Sequence, residues 1–245
     1  MHILAVGAER SGAQGTIEKD QGSNGTRVFA NPHLGCKTGK VGGAMIQNKV
    51  LQVGCHAVTC SSLEHPCVEE LATSQPVQIL YSDPPWGDRH LKYFMTLRKK
   101  QTGEDGTPIS HAEMLEAFSR LISAASPSMV FVETGPGWID EFSDHFSYLK
   151  HKQVVPVTYD GGRPSYLFFG STDGRAWRHK LENKSGYKMV KEIIESVAVP
   201  DGGAVLDPCC GMGYTAQACV DLGLPFLGNE LNAHRLKKTI ARLEK

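Results

Sequence analysis

The chain has 245 residues, with 26 lysines and arginines against 26 aspartates and glutamates, and so carries no formal net charge. That length supports one sizeable α/β domain with a real core, and the balance excludes a strongly basic nucleic-acid module while leaving room for one local basic patch. Seven cysteines, an odd number without a disulfide-framework spacing, fit a reducing cytoplasm, and no apolar run approaches a membrane span.

Residues 1–45 hold nine glycines and, beyond a short strand expected over His2–Val6, no hydrophobic period. They are expected to form a glycine-rich arm, with a single domain over 46–245. The opening Met1–Gly7 is too short for a secretory signal and lacks a basic leader. Gly35–Lys40 has the wrong spacing for a phosphate loop. Val50–Gly54 predicts a strand. Cys55, His56, Cys60, His65 and Cys67 follow closely, but without the paired Cys-x-x-Cys of a zinc knuckle. Buried thiols and surface histidines are expected there, and no metal. Glu69–Thr73 predicts a short helix.

Gln78–Ser82 is short and apolar, the signature of a buried parallel strand. It stops at Asp83-Pro84-Pro85-Trp86, where Pro84 has no N–H for a ladder and Pro85 holds Pro84 extended. A carboxylate, a rigid turn and an aromatic ring therefore project from the carboxyl end of a strand, where ligands bind in open α/β sheets. A planar group can stack on Trp86 while its amine donates to Asp83 and to the Pro84 carbonyl. Two acceptors on one amino group draw its nitrogen lone pair away from the ring, which is the activation a methyl acceptor needs. A strand-end turn with a buried Trp is the plain structural alternative.

After Trp86 the chain turns cationic, with Arg89, His90, Lys92, Arg98, Lys99 and Lys100 interleaved with Tyr93 and Phe94. Arg89, Lys92, Arg98, Lys99 and Lys100 are candidates for phosphate contacts, set against a merely solvated loop. Gln101–Pro108 predicts a glycine-containing loop that can fold over the site. Ser110 with Glu113 forms a capping box for a helix carrying Met114, Leu115, Phe118, Leu121 and Ile122 on one face. Ser128–Glu133 predicts a strand and Trp138–Tyr148 a helix. Gln153–Thr158 and Ser165–Gly170 predict an antiparallel pair around Asp160–Pro164. Gly186–Val197 predicts a helix and Ala204–Leu206 a strand.

The strand at 204–206 runs into Asp207-Pro208-Cys209-Cys210-Gly211-Met212-Gly213-Tyr214-Thr215. Gly211 and Gly213 let the backbone approach a ligand closely, and a helix over Tyr214–Leu222 offers free N–H groups and a positive end. After the strand Phe226–Gly228 comes Glu230, placed to take ribose hydroxyls by the logic of dinucleotide folds. Asn229 and Asn232 lie alongside, and a helix from Ala233 closes the chain. Glu230 also reads as a plain helix-capping acid.

Asp83–Trp86 resembles the catalytic motif of S-adenosylmethionine-dependent methyltransferases that act on exocyclic amines of nucleobases. Asp207–Thr215 resembles their cofactor motif, usually Asp-Pro-Phe-x-Gly-x-Gly-Thr. With the catalytic motif first, the order is similar to the circularly permuted, beta-type DNA amino-methyltransferases and the related mRNA adenine methyltransferases. The resemblance implies a Rossmann-like class I α/β fold, with a mostly parallel seven-stranded sheet and one antiparallel strand. It implies S-adenosyl-L-methionine as cofactor, with Asp83, Pro84, Pro85 and Trp86 catalytic. On the cofactor side it implies Asp207, Pro208, Cys209, Gly211, Gly213, Thr215, Glu230 and Asn232. Lys188 stands where the family has a Lys-Pro pair. The chain departs from the pattern at Cys209 (usually Phe), at Tyr214 (commonly Thr) and at Met189 (usually Pro).

By the same resemblance the expected reaction is adenine-N6 methylation of DNA, because Asp-Pro-Pro-aromatic is commoner for adenine and Ser-Pro-Pro for cytosine-N4. A duplex base must be flipped out to be reached. Cytosine-N4, an RNA adenine, or a non-catalytic partner that keeps the fold are the alternatives. Pro208-Cys209 also resembles the nucleophile dipeptide of cytosine-C5 methyltransferases, but it falls inside the glycine-loop motif. No large recognition domain fits between Trp86 and Asp207. Weak sequence specificity, a homodimer, or reliance on the arm are the routes left open.

Overall fold

The computed structural model describes residues 47–103, 109–159 and 162–245. The expected arm, the strand at His2–Val6 and Gly35–Lys40 lie outside the described residues, as do 104–108 of the expected loop.

Eight strands form one sheet: β1 (Val50–Val53), β2 (His56–Thr59), β3 (Val77–Ser82), β4 (Met129–Thr134), β5 (His151–Tyr159), β6 (Arg163–Ser171), β7 (Ala204–Asp207) and β8 (Phe226–Asn229). Their order is β1-β2-β8-β7-β3-β4-β6-β5. The five central strands from β2 to β4 are parallel, while β1–β2, β4–β6 and β6–β5 pair antiparallel. The Rossmann-like α/β expectation holds, with one strand more than the seven foreseen. The extra strand completes an edge hairpin, β1–β2, turned by Gly54 at φ +62°. Within it His56 is buried rather than on the surface, because its Nδ1 accepts the Phe226 N–H at 3.2 Å and ties β2 to β8. Burial lowers its pKa, which favours the neutral ring that this acceptor role requires.

Among the described residues there are seven helices: α1 (Pro66–Thr73), α2 (Asp88–Thr102), α3 (His111–Ala125), α4 (Ile139–His145), α5 (Gly186–Glu195), α6 (Tyr214–Leu222) and α7 (Ala233–Leu243). Side chains of α5, α6 and α7 fill one core with Ile79, Tyr81, Phe131 and Phe169. Those of α1, α3 and α4 fill the other with Leu80, Val130, Val132 and Phe168. Covered on both faces, β3 and β4 need no polar alternation and read as continuous apolar runs. The capping box of α3 is formed, with Glu113 N–H donating to Ser110 Oγ and Ser110 N–H donating to Glu113 Oε2.

The chain leaves β7 toward α6 on one face and leaves β3 toward α3 on the other. The crevice at the carboxyl ends of these adjacent strands is therefore the topological switch point of the sheet. Over it lies α2, a fifteen-residue helix with no buried residue.

Candidate active site

Both motifs meet at this switch point. β3 delivers Ser82 and Asp83, and β7, its neighbour, delivers Asp207. Ser82 Oγ donates to Asp207 Oδ1 at 2.9 Å, Thr215 Oγ1 to Asp207 Oδ2 at 2.6 Å, and Cys209 N–H to Oδ1 at 3.1 Å. Asp207 thus pins β3 to the start of α6. Burial raises its pKa to about 6 against the pull of those three donors.

Around Asp83 the turn is rigid and aromatic. Trp86 Nε1–H donates to Asp83 Oδ1 at 3.1 Å, and no partner takes Oδ2 among the described residues. The Trp86 ring meets Tyr159 edge-on at 4.8 Å, leans on His90 at 5.6 Å and packs against Gly135, where a Cβ would touch it. Gly87 follows at φ +89°, its missing Cβ leaving room for the Trp138 ring. The Pro84 carbonyl accepts no donor among the described residues, whereas Pro85 O faces His111 Nε2 at 3.2 Å. The Asp83 carboxyl is held well above the usual carboxylate range, by burial first and by Glu133 next, with Trp86 and Arg235 acting the other way.

The cofactor-motif loop is bolted down from behind. Asn229 Nδ2 donates to Pro208 O, Thr239 Oγ1 to Gly211 O and Arg242 Nε to Met212 O, at 3.0, 3.1 and 2.9 Å. Gly211 and Gly213 take left-handed φ of +53° and +82°, and a Cβ on either would strike α7, through Arg235 or Thr239. In α6 the first amide satisfied within the helix is Gln217, bonded to Gly213 O at 3.0 Å. The amides of Tyr214, Thr215 and Ala216 are left at the helix end for a ligand.

The remaining expected residues divide. Buried Glu230 accepts the N–H groups of Asn232, at 2.8 Å, and Gly211, so it joins the loop to the start of α7; burial still raises its pKa. Asn232 caps α7 through Oδ1 and donates to Gln101 at 2.7 Å. Lys188 is exposed on the first turn of α5, lining a surface cavity of about 360 Å³ with His179 and Glu192, and makes no hydrogen bond or ion pair to the crevice among the described residues. Cys209 is partly buried in the loop. Burial, together with Asp207 and Glu230, holds its thiol far above the usual range, which disfavours the thiolate a C5 nucleophile needs.

On α2, Arg89, Lys92, Lys99 and Lys100 are exposed, with Tyr93 60% exposed among them, while Arg98 is half-buried on the opposite side. The inner side rests on α7. Arg235 lies over the Phe94 ring at 5.0 Å, and Gln101 bonds Asn232.

Glu133, Tyr159, Arg235 and His111 also belong to the crevice and were not foreseen as site residues. The one local signal was an acid ending the apolar run 128–133. Among the described residues no group of three His, Cys, Asp or Glu side chains is placed to hold a metal ion, and no helix is long and apolar enough to cross a membrane. His65 Nδ1 and Cys67 Sγ stand 3.1 Å apart at the start of α1, where His65 is the N-cap.

No protein-family model matches the chain, and no curated protein matches it. Solved structures do. M1.HpyAVI superposes with a TM-score of 0.54 over 77% of this chain and 98% of that one, at 16% identity. Its SAM complex gives 0.52 over 76% and 98%, at 15% identity. The PvuII cytosine-N4-specific DNA methyltransferase gives 0.52 over 82% and 89%, at 8% identity. The chain has the Rossmann-like methyltransferase fold of these structures, with the Asp83 turn and the Asp207 loop side by side at its switch point.

Proposed function

We propose that the protein is an S-adenosyl-L-methionine-dependent methyltransferase that modifies the exocyclic amine of a nucleobase, adenine-N6 in DNA first, and that it belongs to the circularly permuted beta-type group. The observation that carries this reading is the Asp83-Pro84-Pro85-Trp86 turn, its Oδ2 and Pro84 carbonyl unengaged, set beside a glycine loop at the switch point. The names of the solved structures of like fold, one a DNA methyltransferase and one a SAM complex, point the same way.

The residues present fit the cofactor. Two left-handed glycines leave space against the chain, the open amides of α6 suit a carboxylate, and the acids Asp83, Asp207 and Glu230 suit a cationic ligand. When bound, S-adenosylmethionine supplies an electrophilic methyl group on sulfur. Pro208, Cys209, Gly211, Gly213 and Thr215 form the loop against it, and Glu230 holds that loop in shape.

Asp83 Oδ2 and the Pro84 carbonyl then accept the two amine hydrogens. Those bonds localise the lone pair on the amine nitrogen, for which the bound cofactor's methyl group would be the electrophile and its sulfur the leaving atom. The proton lost from nitrogen passes to Asp83. Trp86 and Tyr159, edge-on to each other at 4.8 Å, wall the base. The exposed cations of α2 face the nucleic-acid backbone. Cytosine-N4 and an RNA adenine present the same amine, so substrate decides between them. Incubating the protein with methyl-labelled cofactor and either DNA or RNA, then separating nucleosides by mass spectrometry, tests the reading. N6-methyldeoxyadenosine is expected, and label in no nucleoside of either polymer overturns it.

A further inference from the structure

Glu133 is the last residue but one of β4, one strand away from Asp83. Ser82 and Val132 are partners in the parallel register, so Asp83, just past the end of β3, and Glu133, still paired with Leu167 of β6, stand at the same level. They also share a face, since Tyr81 and Phe131, two residues earlier on each strand, lie in the same core. Glu133 is only 5% exposed, and its Oε2 accepts the buried Tyr81 hydroxyl at 3.0 Å. Its Oε1 has no hydrogen-bond partner among the described residues. A tyrosine anchor alone needs no acid; a neutral acceptor serves without burying a second carboxyl beside Asp83.

Resting on the nucleobase reading above, we infer that Glu133 is a base-reading residue: as the neutral acid it donates from Oε1 to the ring nitrogen next to the amine that Asp83 holds. The N=C–NH₂ edge is common to adenine and cytosine. It presents one donor and one acceptor side by side, and the Asp83–Glu133 pair presents their complement. Guanine and thymine put a carbonyl beside a ring N–H there, and both contacts are lost.

The electrostatics agree with the geometry. Tyr81 and Asp83 face Glu133 from β3, Tyr159 faces the pair from β5, Arg235 from α7, and Asp207 stands behind on β7. Burial raises Glu133 to about 7, with the Tyr81 hydroxyl pulling it down. Two neighbouring buried carboxyls do not both ionise easily. The pair therefore shares a proton: burial and the Glu133 charge hold it toward Asp83 while Trp86 and Arg235 act the other way, and a bound edge with its donor at Asp83 and its acceptor at Glu133 draws it to Glu133.

The test is the pH profile of kcat/KM for methyl transfer to DNA, with cofactor affinity measured alongside. Wild type should lose activity as pH rises through about 7. Glu133→Gln, a permanent donor of nearly the same shape, should lose that alkaline fall and exceed wild type above neutrality. Glu133→Ala should drop about five- to a hundredfold, as for leaving a buried acceptor unpaired, with cofactor affinity kept. Tyr81→Phe, which leaves Glu133 in place, should move the alkaline limb to higher pH, a shift that a packing role would not produce. An unchanged alkaline limb in Glu133→Gln, or wild-type rates in folded Glu133→Ala, overturns the assignment of Glu133 alone. A wild-type protein that labels neither DNA nor RNA overturns the nucleobase reading and this inference with it.

Discussion

Asp83 has one oxygen engaged by the Trp86 indole and one left open, so its loss removes an acceptor and unhooks the ring beside it. Asp83→Ala should lower single-turnover transfer by about 10²–10³, the scale for removing one preorganised electrostatic contact. The cofactor dissociation constant should stay within a few-fold, because the glycine loop is built from other residues. Near-wild-type turnover would remove Asp83 from the chemistry. Glu230 is the converse case. Its carboxylate holds the Gly211 and Asn232 amides, so Glu230→Ala should weaken cofactor binding by roughly 1.5–3 kcal/mol, the range for hydrogen bonds to a charged group. Calorimetry reads this directly. An unaltered dissociation constant in the folded variant means that the loop keeps its shape without Glu230.

Helix α2 divides its cations. Arg89, Lys92, Lys99 and Lys100 lie toward solvent with Tyr93, while Arg98 points toward α7. Each phosphate contact adds roughly 0.9 to the magnitude of the slope of log affinity against log salt for duplex DNA. Replacing Lys92, Lys99 and Lys100 by Ala should flatten that slope by up to about 2–3 units, and Arg98→Ala should leave it unchanged. Affinity for a short duplex at several salt concentrations decides, and an unaltered slope in the triple variant makes α2 a solvated helix. The same element marks the limit of what its sequence declares. With no fully buried residue, α2 carries only a half-buried stripe of Leu91, Phe94 and Met95 that Arg98 interrupts, a weak periodic signal in a stretch dominated by charge. β2 was hidden for a related reason, its four residues lying in a Cys/His-rich stretch. The Asp83 turn and the Gly211–Gly213 loop were legible because proline stiffness and left-handed glycines are local requirements. Glu133, Tyr159 and Arg235 were not, because each comes from a different element and only the strand order β7-β3-β4-β6-β5, with α7 alongside, brings them to Asp83.

Across the molecule, the crevice gathers Asp83, Glu133, Asp207 and Glu230, all with pKa values raised by burial. A carboxyl raised on folding binds its proton more tightly in the native state, so its contribution to stability is full below the unfolded value and fades as pH rises through the folded one. With unfolded values near 4, and folded ones of about 6 for Asp207 and about 7 for Glu133, that window runs from mildly acid to neutral pH. Scanning calorimetry should therefore find a higher Tm near pH 5 than near pH 7, and a smaller gap when Glu133→Gln and Asp207→Asn are combined. A Tm that climbs steadily over the same interval contradicts the account. The contacts of α2 carry a different consequence. Phe94 and Gln101 touch Arg235 and Asn232, and these two residues border Gly211 and Glu230. Whatever grips the outer face of α2 therefore biases the loop against which the second ligand is held. Such a bias is reciprocal: the factor by which a duplex tightens the cofactor must equal the factor by which the cofactor tightens the duplex. Asn232→Ala, by cutting its link to Gln101, should bring both factors toward one together.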